Sequence, residues 1–141
     1  MKPIKILLTF LTLFIFTFIL ERMIHSSDLL RADEPFIKEL FSSIHQSLNL
    51  SLLFTFIYSF GEIKKIESFE EFKSQRKTLV IYFFLFTWII NGFTMVLERW
   101  ILKQEIDWIR WLLFSLLWAV ISMLLSLLFS GAFMKRKSAN S

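Results

Sequence analysis

Long apolar stretches alternate with short charged stretches along the chain, and this pattern dominates the sequence. A hydrocarbon core about 30 Å thick needs roughly 20 helical residues to cross it, so each apolar stretch suits one transmembrane helix. The predicted spans cover approximately residues 3–20, 40–60, 78–97 and 111–134. The sequence therefore predicts an all-α integral membrane protein, a bundle of four transmembrane helices in a single membrane domain.

Two short signatures predict where helices begin. Acidic residues 33–34 and Pro35 precede the second span, and Pro is favoured at the first helical position. Ser68 is followed three residues later by Glu71, which is a capping-box pattern. The third helix is therefore expected to begin near Ser68, before its span. The alternative is a solvated, charged linker over approximately residues 62–77.

Composition supports lipid as the surrounding medium. Hydrophobic residues make up 55% of the chain, and 18 of its 141 residues are Phe. A soluble domain of this size leaves too much surface exposed to cover that many apolar side chains. Absence of Cys from the sequence excludes disulfides and thiolate metal sites, and no motif predicts a cofactor. The apolar run that ends at Leu20 is followed by Glu21 rather than by small residues, so we interpret it as a retained helix and not as a cleaved signal peptide.

The distribution of Lys and Arg predicts the orientation. The N-terminal tail, the middle loop and the C-terminal tail together carry ten basic residues, against six in the other two loops. By the positive-inside rule, both termini and the middle loop are expected on the cytoplasmic side of the cell membrane. Orientation and contact with anionic lipid account for the basic clusters, so no nucleic-acid partner is predicted.

The sequence contains an internal repeat. Residues 16–24 read FTFILERMI and residues 93–101 read FTMVLERWI, with six of nine positions identical. Residues 50–55 also resemble residues 125–130. We interpret the chain as a tandem two-helix repeat whose units are related by a pseudo-two-fold axis along the membrane normal. The predicted segments are repeat 1 (about 3–61), a cytoplasmic linker (62–77), repeat 2 (about 78–134) and a cytoplasmic tail (135–141).

The repeat places an acid–base pair at the end of each odd-numbered span. These interfacial charges are Glu21 and Arg22 in the first unit, and Glu98 and Arg99 in the second. Symmetric units would let Glu21 pair with Arg99, and Glu98 with Arg22, because charges near hydrocarbon persist when they are paired. The alternative is a binding or proton-linked site.

Polar residues within the spans form a second feature. On the third helix Thr87, Asn91 and Thr94 share one narrow face. On the second helix His45 and Asn49 share a face, and the two asparagines are expected at similar depth. Polar groups in hydrocarbon need partners, so both faces should turn inward. This polar cluster is interpreted either as interhelical hydrogen bonding or as an outward-opening pocket with a titratable histidine.

The fourth span carries a row of small residues at helical spacing. Such residues let helix backbones approach closely, so the row is the predicted contact with another helix, either internal or in a second protein. Its members are Ser115, Ala119, Ser122, Ser126 and Ser130.

Three classes of function remain open. The first is an accessory or regulatory protein that acts through helix–helix contacts with a second copy or a larger membrane protein. The second is a small oligomeric transporter or channel with a polar pathway between helices 2 and 3. The third is a lipid-acting or intramembrane enzyme that uses His45 with Glu98 or Asp33. Neither a catalytic motif nor a metal-ligand spacing supports the third class, so an enzyme is not predicted.

Overall fold

The computed structural model describes residues 2–26 and 36–140, and four α helices account for nearly all of them. Each helix is long and apolar enough to cross a membrane. This result confirms the all-helical prediction and the number of helices able to cross a membrane. The helices are α1 (Pro3–Ser26), α2 (Phe36–Ile63), α3 (Phe69–Ile101) and α4 (Trp108–Ala139).

All four helices extend beyond the predicted spans. Ser68 is the N-cap of α3, and its side chain accepts a hydrogen bond from the Glu71 backbone N–H at 3.4 Å. The predicted helix start is therefore confirmed, and only residues 64–68 of the predicted linker lie between helices. The proposed start signal for α2, residues 33–35, lies outside the described residues. Asp107 caps α4 in the same way, by accepting from the Arg110 N–H at 3.2 Å.

The helices pack in chain order. Among the described residues, the extensive contacts join α1 to α2, α2 to α3, and α3 to α4. Lys5 at the start of α1 lies 3.8 Å from Glu62 at the end of α2, so these two helices are antiparallel. We call the end that carries both termini and residues 64–68 the termini end, and the end that carries residues 102–107 the loop end. Helix α1 lies at one side of the array.

A row of small polar residues on α2 forms the contact with α1. Thr17 of α1 places its hydroxyl 3.2 Å from the Ser51 hydroxyl and 3.4 Å from the Ser47 carbonyl oxygen. Because serine and threonine side chains are small, the two helices approach closely. The row is buried along its whole length and consists of Ser43, Ser47, Ser51, Thr55 and Ser59.

The small-residue row predicted on α4 lies largely against α3. Four of its five members are buried, whereas Ser122 is half-buried. Gly92 of α3 is so close to this row that an added Cβ would lie 3.5 Å from the Ser115 hydroxyl. Towards the termini end, Arg76 of α3 donates to the Ser130 hydroxyl at 2.6 Å. The row therefore joins two helices of the same chain.

Aromatic packing joins α2, α3 and α4 near the termini end. The ring of Phe60 lies 5.2 Å from that of Phe133 and 6.2 Å from that of Phe72, measured between centroids. Lys137 of α4 donates to the Lys64 carbonyl oxygen at 3.0 Å, beside the same cluster. We call these residues the phenylalanine cluster: Phe56, Phe60, Phe72, Phe83, Phe129 and Phe133.

Candidate membrane-embedded groove

A groove opens where α2 and α4 part beyond the phenylalanine cluster. Helix α3 forms its floor, and the space has a volume of about 790 Å³. Phe56 and Phe129 line it at the termini end, where their rings lie 6.4 Å apart. Its other walls are mainly leucine, with Trp118 on the α4 side. The polar residues that line it are His45, Gln46, Asn49, Thr87, Asn91, Ser122 and Ser126.

Two opposite faces of α2 explain why Asn49 points into the groove region. A helix turns 100° per residue, so Asn49 lies about 200° from both Ser47 and Ser51. The serine row contacts α1, and Asn49 therefore faces α3. The pattern on α2 thus fixes α1 on one side and α3 on the other.

Asn49 and Asn91 form a reciprocal amide pair. The Asn49 side-chain nitrogen donates to Asn91 Oδ1 at 3.2 Å, and the Asn91 nitrogen donates to Asn49 Oδ1 at 3.1 Å. Each nitrogen also donates to a carbonyl oxygen of its own helix, that of His45 at 2.9 Å and that of Thr87 at 2.8 Å. Every N–H of the two amides is thereby used, and α2 is bonded to α3 at the level where the sequence predicted that the amides meet.

The two threonines on this face of α3, Thr87 and Thr94, differ in whether they line the groove. Thr94 is buried, donates to the Ile90 carbonyl oxygen at 2.7 Å and does not line the groove. The hydroxyl of Thr87 is buried and has no hydrogen-bond partner among the described residues. The structure therefore brings together His45, Asn49, Thr87 and Asn91, and leaves Thr94 outside.

The rim of the groove is connected to α1 through Gln46. In the amide orientation that suits both partners, the Gln46 nitrogen donates to both carboxylate oxygens of Glu21 at 3.1 Å. His45, next to Gln46 in the sequence, is half-buried and is the one titratable residue among those that line the groove. Glu98 does not line the groove with His45, and Asp33 lies outside the described residues.

The predicted charge pairs between the two units are wrong. Arg22 lies 3.9 Å from Glu39 of α2, within the first unit. Arg99 instead stacks on the Trp111 ring, 4.9 Å from its centre, within the second unit. Because α2 lies between α1 and α3, Arg22 and Arg99 each contact the adjacent helix of their own unit, and the contact of Arg99 is with an aromatic ring.

The described residues include no group of three or more His, Asp or Glu side chains arranged to hold a metal ion. No family model, curated protein or solved structure matches the chain.

Two features that shape the groove were not predicted from the sequence. The serine row on α2 has a recognisable signal, a Ser or Thr at every fourth position from 43 to 59. The phenylalanine cluster has no such signal, because Phe is spread over all four spans and only the packing selects these six rings. Together these features determine which face of α2 remains for the groove.

The amide pair predicts an energetic coupling between α2 and α3. Asn49→Leu and Asn91→Leu should each destabilise the folded protein, since each leaves one amide without its mate. The double variant should be more stable than the sum of the two losses predicts, by about 0.6–2 kcal/mol, the range for interhelical hydrogen bonds in membranes. Reversible unfolding in mixed micelles measures this cycle. Strict additivity of the two losses would contradict the pairing.

Proposed function

We propose that this chain is an accessory membrane protein that holds a transmembrane helix of a larger membrane protein in the groove. The observation that carries the proposal is the groove itself, an open space of about 790 Å³ with polar groups along an apolar wall. Its occupant must supply apolar side chains together with a few hydrogen-bonding groups.

The depth of the polar groups favours a protein helix as the occupant. Asn49 lies at the middle of α2, and Asn91 is bonded to it. At that depth a lipid offers only acyl chain, which cannot bond to the half-buried His45. A helix with one or two polar side chains does so, because helices in membranes associate by packing and interhelical hydrogen bonds.

The other helix faces are less suited to a specific partner. The small-residue rows of α2 and α4 are used within the chain, where they contact α1 and α3. The outward faces of α1 and α4 carry large apolar side chains without polar groups of this kind, such as Leu128, which is 74% exposed. These faces suit lipid, so the groove is the surface that remains for recognition.

We also propose that both termini lie in the cytoplasm and that the chain resides in the cell membrane. The support is the excess of Lys and Arg at the termini end, where the middle linker and both tails meet. A reporter that is active only in the cytoplasm should work when fused to either terminus and fail in the linker between α3 and α4. Activity at one terminus alone would contradict this orientation.

The internal repeat is proposed to reflect duplication of a helical hairpin. In both units the second helix presents a row of small residues to the first helix of the same unit, from α2 to α1 and from α4 to α3. An experimental structure in lipid tests this idea by superposition of the two hairpins. Crossing angles of opposite sign would contradict a common origin.

Crosslinking in native membranes tests the proposed partner helix. The chain has no Cys, so Ser122→Cys places a single thiol in the groove, and Leu128→Cys places one on the lipid-facing side of the same helix. With a thiol-attached photocrosslinker, the groove variant should give a protein adduct of one defined mass. The Leu128 variant is the matched control and should give only lipid adducts.

A second variant shows whether the adduct depends on the shape of the groove. A probe at Leu125→Cys should give the same protein adduct, and adding Ser122→Trp should remove it by filling the space. Equal adducts from the groove and the control position would contradict the proposal. An adduct with the mass of a second copy would contradict a larger partner and indicate self-association.

The second candidate is a small oligomeric transporter or channel, with its pathway along the polar side of the groove. The favouring observation is that His45, Asn49, Thr87 and Asn91 line the same space. The space ends at Phe56 and Phe129, so a pathway through a single chain would need these rings to move. Solute flux into proteoliposomes that falls with Asn91→Leu would favour this function, and flux unchanged by Asn91→Leu would remove the pathway.

A further inference from the structure

A second concave space lies at the loop end, between α3 and α4. It measures about 420 Å³ and is separate from the groove, sharing no lining residue with it. Its rim carries four charged side chains, Arg99, Glu105, Asp107 and Arg110. We call it the loop-end pocket.

The charges of the loop-end pocket do not neutralise one another. Among the described residues, neither Arg99 nor Arg110 has a carboxylate oxygen within 4.0 Å. The Arg99 guanidinium lies over the Trp111 ring, 4.9 Å from its centre, so its neighbour there is an aromatic face and not a carboxylate. Two arginines and two carboxylates around one space, without pairs between them, present both signs of charge to a ligand.

The first repeat unit provides a comparison within the same molecule. Arg22 occupies the position that matches Arg99, yet it lies 3.9 Å from Glu39. Unlike Arg22, Arg99 has no such acid on the adjacent helix. Of these two matched arginines, Arg22 therefore has a carboxylate within 4.0 Å and Arg99 has none among the described residues.

Backbone bonds hold the loop above the end of α3. The Gln104 N–H donates to the Arg99 carbonyl oxygen at 2.9 Å, and the Lys103 N–H donates to that of Trp100 at 3.2 Å. Lys103 adopts a left-handed conformation, with φ of 53°, and together with these two bonds it ends the helix as a Schellman motif. Glu105 and Asp107 follow directly, so the turn fixes both acids at the rim.

The pocket changes from polar to apolar along the helix axes. Trp residues flank the loop and favour the membrane interface, which places Arg99 and Arg110 at the level of the headgroups. Met95 and Phe114 lie four residues further into α3 and α4, about 6 Å deeper at 1.5 Å per residue. A ligand that fits has a charged head and an apolar tail.

We propose that the loop-end pocket binds a zwitterionic phospholipid of the phosphoethanolamine type. Arg99 and Arg110 hold the phosphate, because guanidinium groups match phosphate oxygens as paired donors. Glu105 and Asp107 accept hydrogen bonds from the primary ammonium group. Met95 and Phe114 contact the start of an acyl chain.

Competition between lipids tests this site. Delipidated protein in mild detergent is offered phosphatidylethanolamine, phosphatidylcholine and phosphatidylglycerol with identical acyl chains, and bound lipid is counted by native mass spectrometry. Phosphatidylethanolamine should be retained in preference to the other two. Choline cannot donate to the carboxylates, and the glycerol headgroup carries no cation to meet them. Equal retention of the three lipids would mean that they replace detergent on the apolar surface without regard to headgroup, and this would overturn the proposal.

Two variants test the phosphate contact and the ammonium contact separately. Arg99→Gln should lower the affinity for phosphatidylethanolamine by about tenfold, the effect of one lost charged hydrogen bond. Glu105→Gln should lower the affinity for phosphatidylethanolamine and leave that for phosphatidylglycerol unchanged. Arg22→Gln is the matched control and should leave the lipid preference as in the parent protein.

Soluble competitors identify which part of the lipid is recognised. O-phosphoethanolamine in excess should displace the bound lipid, whereas inorganic phosphate at the same concentration should displace little of it. Equal displacement by the two would show that an anion alone is bound and would contradict the role of the carboxylates. Lipid preference that survives in Arg99→Gln, with an unchanged elution profile, would also overturn the site.

Discussion

The structure depends on one constraint, that hydrocarbon supplies no hydrogen bonds to polar groups within a span. Asn49 and Asn91 meet this constraint by bonding to each other and to their own helices. Thr17 and Ser51 do so between α1 and α2. Each polar contact determines which faces of two helices meet, so the order of packing follows from where the polar residues lie.

The same contacts leave the array closed at one end and open at the other. Phenylalanine rings and the bond from Lys137 to the Lys64 carbonyl hold α2, α3 and α4 together near the termini. Farther along, α2 and α4 both pack on α3 and no longer on each other, which creates the groove. In a membrane this surface contacts either acyl chains or another helix, and its polar residues are the reason for proposing a helix.

Local sequence patterns predicted the positions of the helices well. Contacts between residues far apart in the chain were predicted less well. The four spans and the start of α3 at Ser68 follow from run length and capping, which act within a few residues. The depth of the asparagine pair follows from helical rise. The predicted pairing of Glu21 with Arg99 was wrong, because repeat symmetry does not determine the order in which the helices pack. The serine row on α2 places α2 between α1 and α3, and this separates the two residues. The polar side of the groove follows from the polar residues of helices 2 and 3, whereas the wall that α4 contributes depends on packing and has no signal of its own in the sequence.

The central claim is that α2 and α4 touch near the termini and diverge towards the loop end. Electron–electron distance measurements between spin labels in lipid nanodiscs test it, with one label pair at Lys64 and Lys137 and another at Gln46 and Ser122. The first label pair should be clearly closer than the second, because side chains join α4 to the end of α2 only at the first level. Equal separations at the two levels would indicate a closed bundle and contradict the groove.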